Sequence, residues 1–303
     1  MGFIYHKRRL VFTLLFGLIL VNGGRLQAQT VQGTSAPGRY AIRSTNQTTR
    51  TDYALLIAND TYADPAYTKL VNPVYDAQQI EAVLRERFGF QTTLLTTANR
   101  DSCLRQLRRL ANRTFGPNDQ LFVYVAGHGD FDPVFRQGYV VLRDARKSDE
   151  TYAQHLSFPD LQNILGNLRC RHVLLTLDVC YGGTFDNYFA TQDLAAFRGD
   201  SLSRGGRVAD AASPTAFIYE KLKPATRLYL SSGGKEVVAD GQRGQHSPFA
   251  KHLLAKLEEA AQSQYKVLTV SELKVYLEKQ NLRVKMGPFP PNESNSDFLF
   301  IAR

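Results

Sequence analysis

The chain has 303 residues, with 37 lysines and arginines against 28 acidic residues, which gives a formal charge of +9. Its hydrophobic fraction of 43% and charged fraction of 21% exclude a disordered, collagen-like or polytopic membrane protein. Three cysteines exclude a scaffold built on disulfides, and their odd number leaves at least one thiol free or paired between chains. The excess of positive charge would suit a nucleic acid or an anionic membrane, so its position along the chain matters.

Residues 1–28 have the pattern of an export signal. The basic stretch KRR precedes the apolar run LVFTLLFGLILV, and we predict cleavage after Ala28. The uncharged span from Leu10 to Gly24 covers fifteen residues, which is shorter than the ~20 residues of a membrane-spanning helix. An uncleaved N-terminal anchor is the alternative, and no other segment is long and apolar enough to span a bilayer. The sequence therefore predicts an exported protein, periplasmic or secreted.

Residues 29–51 lack a hydrophobic period and are rich in Thr, Gln, Ser and Gly, which predicts a flexible linker before a folded domain at 52–303. Seven basic residues and no acidic ones precede residue 52, so the folded part carries a net charge of only +2. A basic cluster at helical spacing is typical of a solvated helix face, and it comprises Arg105, Arg108, Arg109 and Arg113. The charge pattern therefore predicts no nucleic-acid partner.

Five short runs predict strands. These runs are Tyr53–Ala58, Phe90–Leu95, Leu121–Ala126, His172–Leu177 and Thr226–Leu230. Hydrophobic residues of the first run do not alternate with polar ones, which predicts a strand covered on both faces, and the third and fourth runs are likewise predicted as buried core strands. Helices are predicted at about 73–88, 99–113, 157–168, 213–222, 248–261 and 270–279, several of them with Asn or Ser caps or an initial Pro. We also predict a short surface β segment at Gly138–Leu142, a short helix near Tyr188–Phe197 and a last strand at Phe298–Ile301.

Buried strands that alternate with helices indicate an α/β fold. We expect a mostly parallel sheet of about six strands between two helix layers, a three-layer α/β/α sandwich. In such sheets, ligands bind beyond the carboxyl ends of the strands. The third predicted strand ends in Gly127-His128-Gly129, and the fourth ends in Asp178-Val179-Cys180. These two strand ends are the predicted functional site.

His128 and Cys180 together suggest nucleophilic catalysis. A thiol attacks a carbonyl as the thiolate, and a nearby imidazole accepts and returns the proton. If the third and fourth strands are neighbours, ~5 Å separates them and both side chains face one reacting carbon. The backbone N–H groups of Gly129 and Cys180 are candidates for stabilising the oxyanion. Each motif alone is more often a turn or a small core residue, and their joint position favours catalysis.

These residues resemble those of caspase-like cysteine peptidases, and metacaspases and bacterial caspase-domain proteins more than animal caspases. The histidine precedes the cysteine by 52 residues, close to the caspase spacing. The resemblance runs from about Tyr53 to Ile301, through YALLIAND, YDAQQIEAVL, DQLFVYVAGHGD, LLTLDVCYGG and SSGGKEVVADGQRGQHSPFAKHLL. The chain departs from animal caspases in Asp178-Val179 and from metacaspases in Tyr181-Gly182-Gly183, which leaves the subfamily open.

The resemblance implies an acidic recognition pocket formed by Asp76 and Asp178. Carboxylates beside a nucleophile favour a cationic side chain, and a bidentate arginine most, so we expect cleavage after Arg or Lys. Asp76 is alternatively a solvated residue in the first turn of a helix, and Asp178 a turn residue with a structural hydrogen bond. The segments Ser231–Gly234 and Asp240–Pro248 match the loops that close the substrate cleft in this family.

Residues 184–212 match the place where this family carries a processing loop. Self-cleavage is expected there, at the basic residues Arg198, Arg204 and Arg207, and a plain surface loop is the alternative. The remaining histidines, and the cysteines Cys103 and Cys170, are interpreted as surface or structural residues. No cysteine or histidine cluster has zinc spacing and no EF-hand loop is present, so no metal or other cofactor is predicted.

The sequence therefore predicts an exported cysteine endopeptidase that uses a Cys180–His128 dyad. Its partner would be a peptide or protein substrate with a basic residue at the cleavage site. Two other classes remain open: a catalytically silent caspase-domain protein that acts by binding or assembly, and a basic nucleic-acid-binding α/β protein. The presence of both catalytic residue types argues against the first, and the near-neutral folded part argues against the second.

Overall fold

The computed structural model describes residues 50–180, 182, 184–185, 213–233, 240–242 and 244–303. Strands in this part of the chain are β1 (Asp52–Ala58), β2 (Gln91–Thr96), β3 (Gln120–Gly127), β4 (Gly129–Asp132), β5 (Gln137–Val140), β6 (Leu156–Ser157), β7 (His172–Val179), β8 (Thr226–Ser231), β9 (Val267–Thr269), β10 (Lys285–Pro288) and β11 (Leu299–Ile301). Helices there are α1 (Pro73–Phe88), α2 (Arg100–Ala111), α3 (Phe158–Gly166), α4 (Pro214–Leu222), α5 (Pro248–Gln262) and α6 (Val270–Lys279).

The central sheet has six strands in the order β10-β8-β7-β3-β1-β2. Five of them run parallel, and β10 pairs antiparallel with β8 at one edge. The predicted α/β fold with a mostly parallel sheet is confirmed. Strands β3 and β7 lie side by side near the middle of the sheet, between β1 and β8.

Side chains of alternate residues on the buried strands pack in two separate hydrophobic cores, one on each face of the sheet. Leu56 of β1 and Tyr124 of β3 pack with α1, α5 and α6 on one face. Leu55 of β1 and Val123 of β3 pack with α2 and α3 on the other face. Side chains of a strand alternate between the two faces of its sheet, so strands with continuous apolar runs require a helix layer on each side. The three-layer arrangement follows from this requirement.

The hairpin after β3 differs from the prediction. The segment expected on the surface, Gly138–Leu142, overlaps β5, and its residues Tyr139 to Leu142 are buried. A Cβ atom on Gly138 would overlap the ring of Phe158 at the start of α3. The surface prediction was wrong because this short strand packs beneath α3.

The last strands also differ from the prediction. The sixth strand of the central sheet is β10, which the sequence analysis did not predict, whereas the predicted last strand pairs as β11 with β9 in a separate two-stranded sheet. The Lys285–Pro288 sequence, KMGP, has no strand pattern, and it pairs at the sheet edge through its backbone. The predicted helix near Tyr188–Phe197 lies outside the described residues.

No helix in the described ranges is long and apolar enough to cross a membrane. The predicted export signal at 1–28 and most of the predicted linker at 29–51 precede residue 50, where the description of the structure begins. The export signal and its alternative, an N-terminal anchor, therefore stay predictions.

Candidate active site

The structure brings His128 and Cys180 to the same edge of the sheet. Strands β3 and β7 pair in parallel register, with Gly127 opposite Val179. His128 and Cys180 are the next residues on the two strands, so they leave the sheet at neighbouring points. The backbones lie so close that a Cβ atom on Gly129 would overlap the carbonyl oxygen of Cys180. Glycine is therefore required at position 129 for this approach.

A cavity of about 330 Å³ lies beside this pair. Among the residues that the structure describes, its lining includes three aspartates and neither lysine nor arginine. The lining residues are Thr68, Leu70, Pro73, Asp76, Ala126, Gly127, His128, Asp178, Cys180, Asp240 and Ser247. The cavity therefore joins the candidate nucleophile and base to an acidic pocket.

The backbone carbonyl of Thr68 orients the His128 ring. Nε2 of His128 lies 2.7 Å from this carbonyl oxygen. A carbonyl oxygen only accepts hydrogen bonds, so Nε2 carries a proton and donates a hydrogen bond to it. In the neutral ring Nδ1 is then the basic nitrogen. The His128 N–H donates to the hydroxyl of Tyr62 at 2.9 Å, and the two rings lie 5.0 Å apart. No motif in the sequence indicated a group that orients His128.

Tyr67 fixes the segment that carries this carbonyl. Its hydroxyl donates to Asp130 Oδ2 at 2.7 Å and lies 2.9 Å from Nε2 of His155. Although burial opposes the ionisation of Asp130, hydrogen bonds from Lys147 and Tyr67 lower the pKa of this carboxyl. Tyr67 precedes Thr68, and Asp130 follows His128 by two residues. The Tyr67–Asp130 bond thus ties the two segments that determine the orientation of His128.

The predicted oxyanion donors lie on the same edge. Val141 N–H donates to the carbonyl of His128 at 3.0 Å, and Gly129 is paired with Val140 across the β4–β5 ladder. This pattern makes Gly129 and Val140 a non-hydrogen-bonded pair. The N–H of Gly129 therefore points away from β5. The role of Gly129 and Cys180 as oxyanion donors stays a prediction.

Ser247 connects the two predicted pocket aspartates. Its N–H donates to Asp76 Oδ2 at 3.0 Å, and its hydroxyl donates to Asp178 Oδ2 at 2.8 Å. Asp76 is 1% exposed, so it is not a solvated first-turn residue. Asp178 occupies the penultimate position of β7 and is also buried. The structure therefore brings Asp76 and Asp178 together on one wall of the cavity.

Asp178 has one carboxylate oxygen that is not satisfied. Burial raises the pKa of Asp178 to about 6, while hydrogen bonds from Ser232 and Ser247 act in the opposite direction. Oδ1 of Asp178 and Oγ of Ser232 nevertheless have no hydrogen-bond partner of acceptable geometry among the described residues. The hydroxyl is thus close enough to affect the carboxyl but is not aligned with it. A buried acceptor without a donor is costly, and a bound cationic donor would satisfy it.

Two further residues contact the pocket segments, Asp240 in the cavity lining and His246 beside Asp76. Asp240 was not predicted individually, and His246 was interpreted as a surface or structural histidine. Asp240 accepts hydrogen bonds from the N–H groups of Val71 and Asn72, at 2.6 and 3.1 Å. Nδ1 of His246 lies 2.6 Å from Asp76 Oδ1. Both residues fall in the segment that the sequence analysis matched to a cleft-closing loop. No motif in the sequence predicts the contacts of Asp240 and His246, because their partners lie about 170 positions away along the chain.

Asn72 differs from its predicted role. The sequence predicts that its side chain caps α1, but no side-chain capping bond is present. Its amide instead donates to the carbonyls of Asp240 and Gln242, at 2.5 and 3.0 Å. The prediction was wrong because the loop at 240–242 competes for the side chain. Asn72 thereby holds this loop against the start of α1.

The other cysteines lie away from this edge. Cys170 precedes β7 at the opposite end of the strand from Cys180, and burial raises its thiol pKa to about 12. Cys103 is buried in α2, where burial likewise raises the thiol pKa to about 12. None of the three cysteines forms a disulfide bond. Only Cys180 combines partial exposure with a position beside the cavity.

The other histidines have structural surroundings. His155 is buried against Tyr67, and burial lowers its pKa. His172 is buried at the start of β7, where burial lowers its pKa to about 4. His252 lies on α5 and contacts the ring of Tyr276. Among the described residues, no group of three His, Cys, Asp or Glu side chains is placed to hold a metal ion.

Comparisons with known proteins agree with this architecture. A family model described as the caspase domain matches residues 51–295, so the chain belongs to the caspase-domain family of cysteine peptidases. The fold is similar to the crystal structure of caspase-1 from Spodoptera frugiperda, with a TM-score of 0.52 and 13% sequence identity. That match covers 80% of this chain and 88% of the caspase-1 chain. A search of curated proteins finds no match.

Proposed function

We propose that the protein is a cysteine endopeptidase that cleaves peptide bonds after Arg or Lys. The observation that carries this proposal is the acidic cavity beside Cys180 and His128. Its wall includes the buried Asp178, whose Oδ1 lacks a hydrogen-bond donor among the described residues. A guanidinium or ammonium group would supply both the missing donor and the compensating charge.

The proposed reaction proceeds in two stages. His128 accepts the thiol proton of Cys180, and the sulfur attacks the carbonyl carbon of the scissile bond. The N–H groups of Gly129 and Cys180 stabilise the resulting oxyanion. The C–N bond then breaks as His128 returns the proton to the leaving amine, which leaves an acyl-enzyme. Water, deprotonated by His128, attacks this thioester and releases the acid and the thiol.

A panel of peptides that differ only in the residue before the cleavage site tests the proposal. The residues are Arg, Lys, Asp and citrulline, which has the shape of arginine without its charge. We expect cleavage of the Arg and Lys peptides at least about a hundredfold faster than of the citrulline peptide, because a buried charge pair is lost. Cleavage of the Asp peptide alone would contradict the proposed specificity. No cleavage, without labelling of Cys180 by a peptide thiol reagent, would favour the silent binding protein.

The orientation of His128 gives a separate prediction. Tyr67→Phe removes the hydroxyl that holds Asp130, so we expect kcat to fall roughly tenfold while KM stays close to that of the wild type. Asp130→Asn keeps an acceptor for this hydroxyl and should retain most of kcat. Tyr139→Phe is the matched control, because Tyr139 stacks on Tyr152 in the same aromatic group. Equal kcat values for Tyr67→Phe and Tyr139→Phe would contradict this role.

Export and self-processing are proposed from the sequence alone. Residues 1–28 support an exported protein, and Arg198, Arg204 and Arg207 support processing within 184–212. These three arginines lie outside the described residues. An enzyme that cleaves after arginine would be able to cut such a segment in its own chain.

A further inference from the structure

We propose that His246 is a specificity-determining residue, because its imidazole and the cationic side chain of the substrate compete for Asp76. The proposal rests on the function proposed above, cleavage after Arg or Lys. It predicts that acidification weakens substrate binding through His246. His246 need not touch the scissile bond for this effect.

His246 is held against the acidic cavity from two sides. Nδ1 lies 2.6 Å from Asp76 Oδ1, and the ring stacks on Tyr75 with centroids 4.8 Å apart and an interplanar angle of 18°. The backbone has φ +65°, a left-handed conformation that is uncommon for residues other than glycine. Such a conformation persists only where surrounding contacts fix it. These contacts therefore fix the ring beside Asp76, which lines the cavity.

The contact with Asp76 defines what protonation changes. An ionised carboxylate only accepts hydrogen bonds, so Nδ1 of His246 carries the proton in this pair. In the neutral ring, Nε2 is then the nitrogen without a proton. With a neutral ring, the His246–Asp76 pair carries one negative charge. With a protonated ring, the pair carries none, and a substrate cation loses one of its attracting charges.

Two ionisable groups contact His246, and two more lie on the segments packed beside it. Asp76 and Tyr75 come from α1, and Asp240 comes from the loop that Asn72 holds. Asp178 at the end of β7 is linked to the neighbouring Ser247. Asp178 also gains a proton on acidification, since burial raises its pKa to about 6. Burial raises the pKa of Asp76 as well. Weaker binding at low pH therefore has three sources, and a variant must separate His246 from the two aspartates.

The test compares wild type with His246→Gln, whose amide keeps a donor for Asp76 but has no charge at any pH. KM and kcat are measured with the Arg peptide between pH 5.5 and 8.0. We expect KM to rise on acidification in both proteins, and the rise to be roughly fivefold smaller in His246→Gln. The remaining rise reports the protonation of Asp76 and Asp178.

Two controls accompany this comparison. His252→Gln removes the same residue type from α5, away from the cavity lining, and should keep the wild-type profile. The citrulline peptide has no cation, so its kcat/KM should change with pH equally in wild type and His246→Gln. His246→Asn provides a second neutral variant if His246→Gln does not fold.

The outcomes distinguish this proposal from the proposed function. If wild type cleaves the Arg peptide but KM has the same pH dependence in the neutral variant, the role of His246 is overturned and the specificity stands. A difference confined to kcat would also overturn it, because the effect would then be on the chemical step. If wild type does not cleave the Arg peptide at all, both proposals fall.

Discussion

Cys180→Ala is expected to lower cleavage of the Arg peptide by about 10⁴-fold or more, because the nucleophile of a two-stage reaction is lost. Cys180 lies at the carboxyl end of β7, beside the cavity and the backbone of Gly129. The replacement removes a partly exposed side chain, so the melting temperature should change little. Initial rates with the Arg peptide and a thermal unfolding curve measure the two effects.

Cys170→Ala is the matched control for this variant. Cys170 lies at the other end of the same strand, and its thiol donates to the backbone carbonyls of Asp119 and His172. We expect Cys170→Ala to retain activity and to lose stability, since a buried side chain and its hydrogen bonds are removed. Full activity of Cys180→Ala together with loss of activity in a folded Cys170→Ala would reverse the assignment of the nucleophile.

Asp178→Asn is expected to lower kcat/KM for the Arg peptide by about 10²- to 10³-fold at pH 7.5. The substrate cation would lose its buried partner, which costs several kcal/mol when one member of such a pair is removed. Asparagine still accepts the hydroxyl of Ser247, so the wall of the cavity stays connected. The value of kcat/KM for the citrulline peptide should fall far less, because uncharged citrulline forms no ion pair with Asp178.

The same variant should not lose stability. Burial raises the pKa of folded Asp178 from 3.8 to about 6, so the unfolded chain releases this proton at a lower pH. The contribution of Asp178 to stability is therefore most favourable below pH 3.8, and it decreases as pH rises through about 6. At pH 7.5, Asp178→Asn removes a buried charge, and its melting temperature should equal or exceed that of wild type.

Asp297→Asn separates burial from function. Asp297 is 1% exposed, and burial raises its pKa to about 6 as well. It accepts hydrogen bonds from the N–H groups of Ser271 and Phe298, and it does not line the cavity. Asp297→Asn should match Asp178→Asn in its effect on stability and leave kcat/KM unchanged. Equal losses of activity in both variants would mean that Asp178 acts only through the fold.

Local sequence signals predicted most of the regular structure. Helix α6 covers the predicted residues 270–279, because Thr269 and Glu272 form a capping box at its start. Helix α1 ends where predicted, at Gly89 with φ +73°, a conformation that favours glycine. Four of the five predicted runs form buried strands because both faces of the sheet are covered there, whereas β2 at the sheet edge has no buried residue. Strand β10 escaped prediction because pairing at a sheet edge requires backbone groups and little side-chain pattern.

The thiol and the imidazole of the candidate site could be predicted from the sequence. His128 and Cys180 end consecutive core strands, and consecutive strands of a parallel sheet present their carboxyl ends at one edge. That β3 and β7 are direct neighbours was a condition of the prediction, and the sheet order satisfies it. The catalytic assignment itself awaits the variants described above.

The groups that surround this pair could not be predicted from the sequence, because long-range folding brings them to the site. Thr68 orients His128 through a backbone carbonyl, which any residue type provides, so its identity carries no signal. Ser247 and His246 reach Asp76 from about 170 positions away along the chain, through a loop whose path depends on the packing of α5 against α1. Helix caps arise from contacts between near neighbours in sequence, and the core strands have a local apolar pattern. The acidic pocket arises from long-range contacts that form when the chain folds.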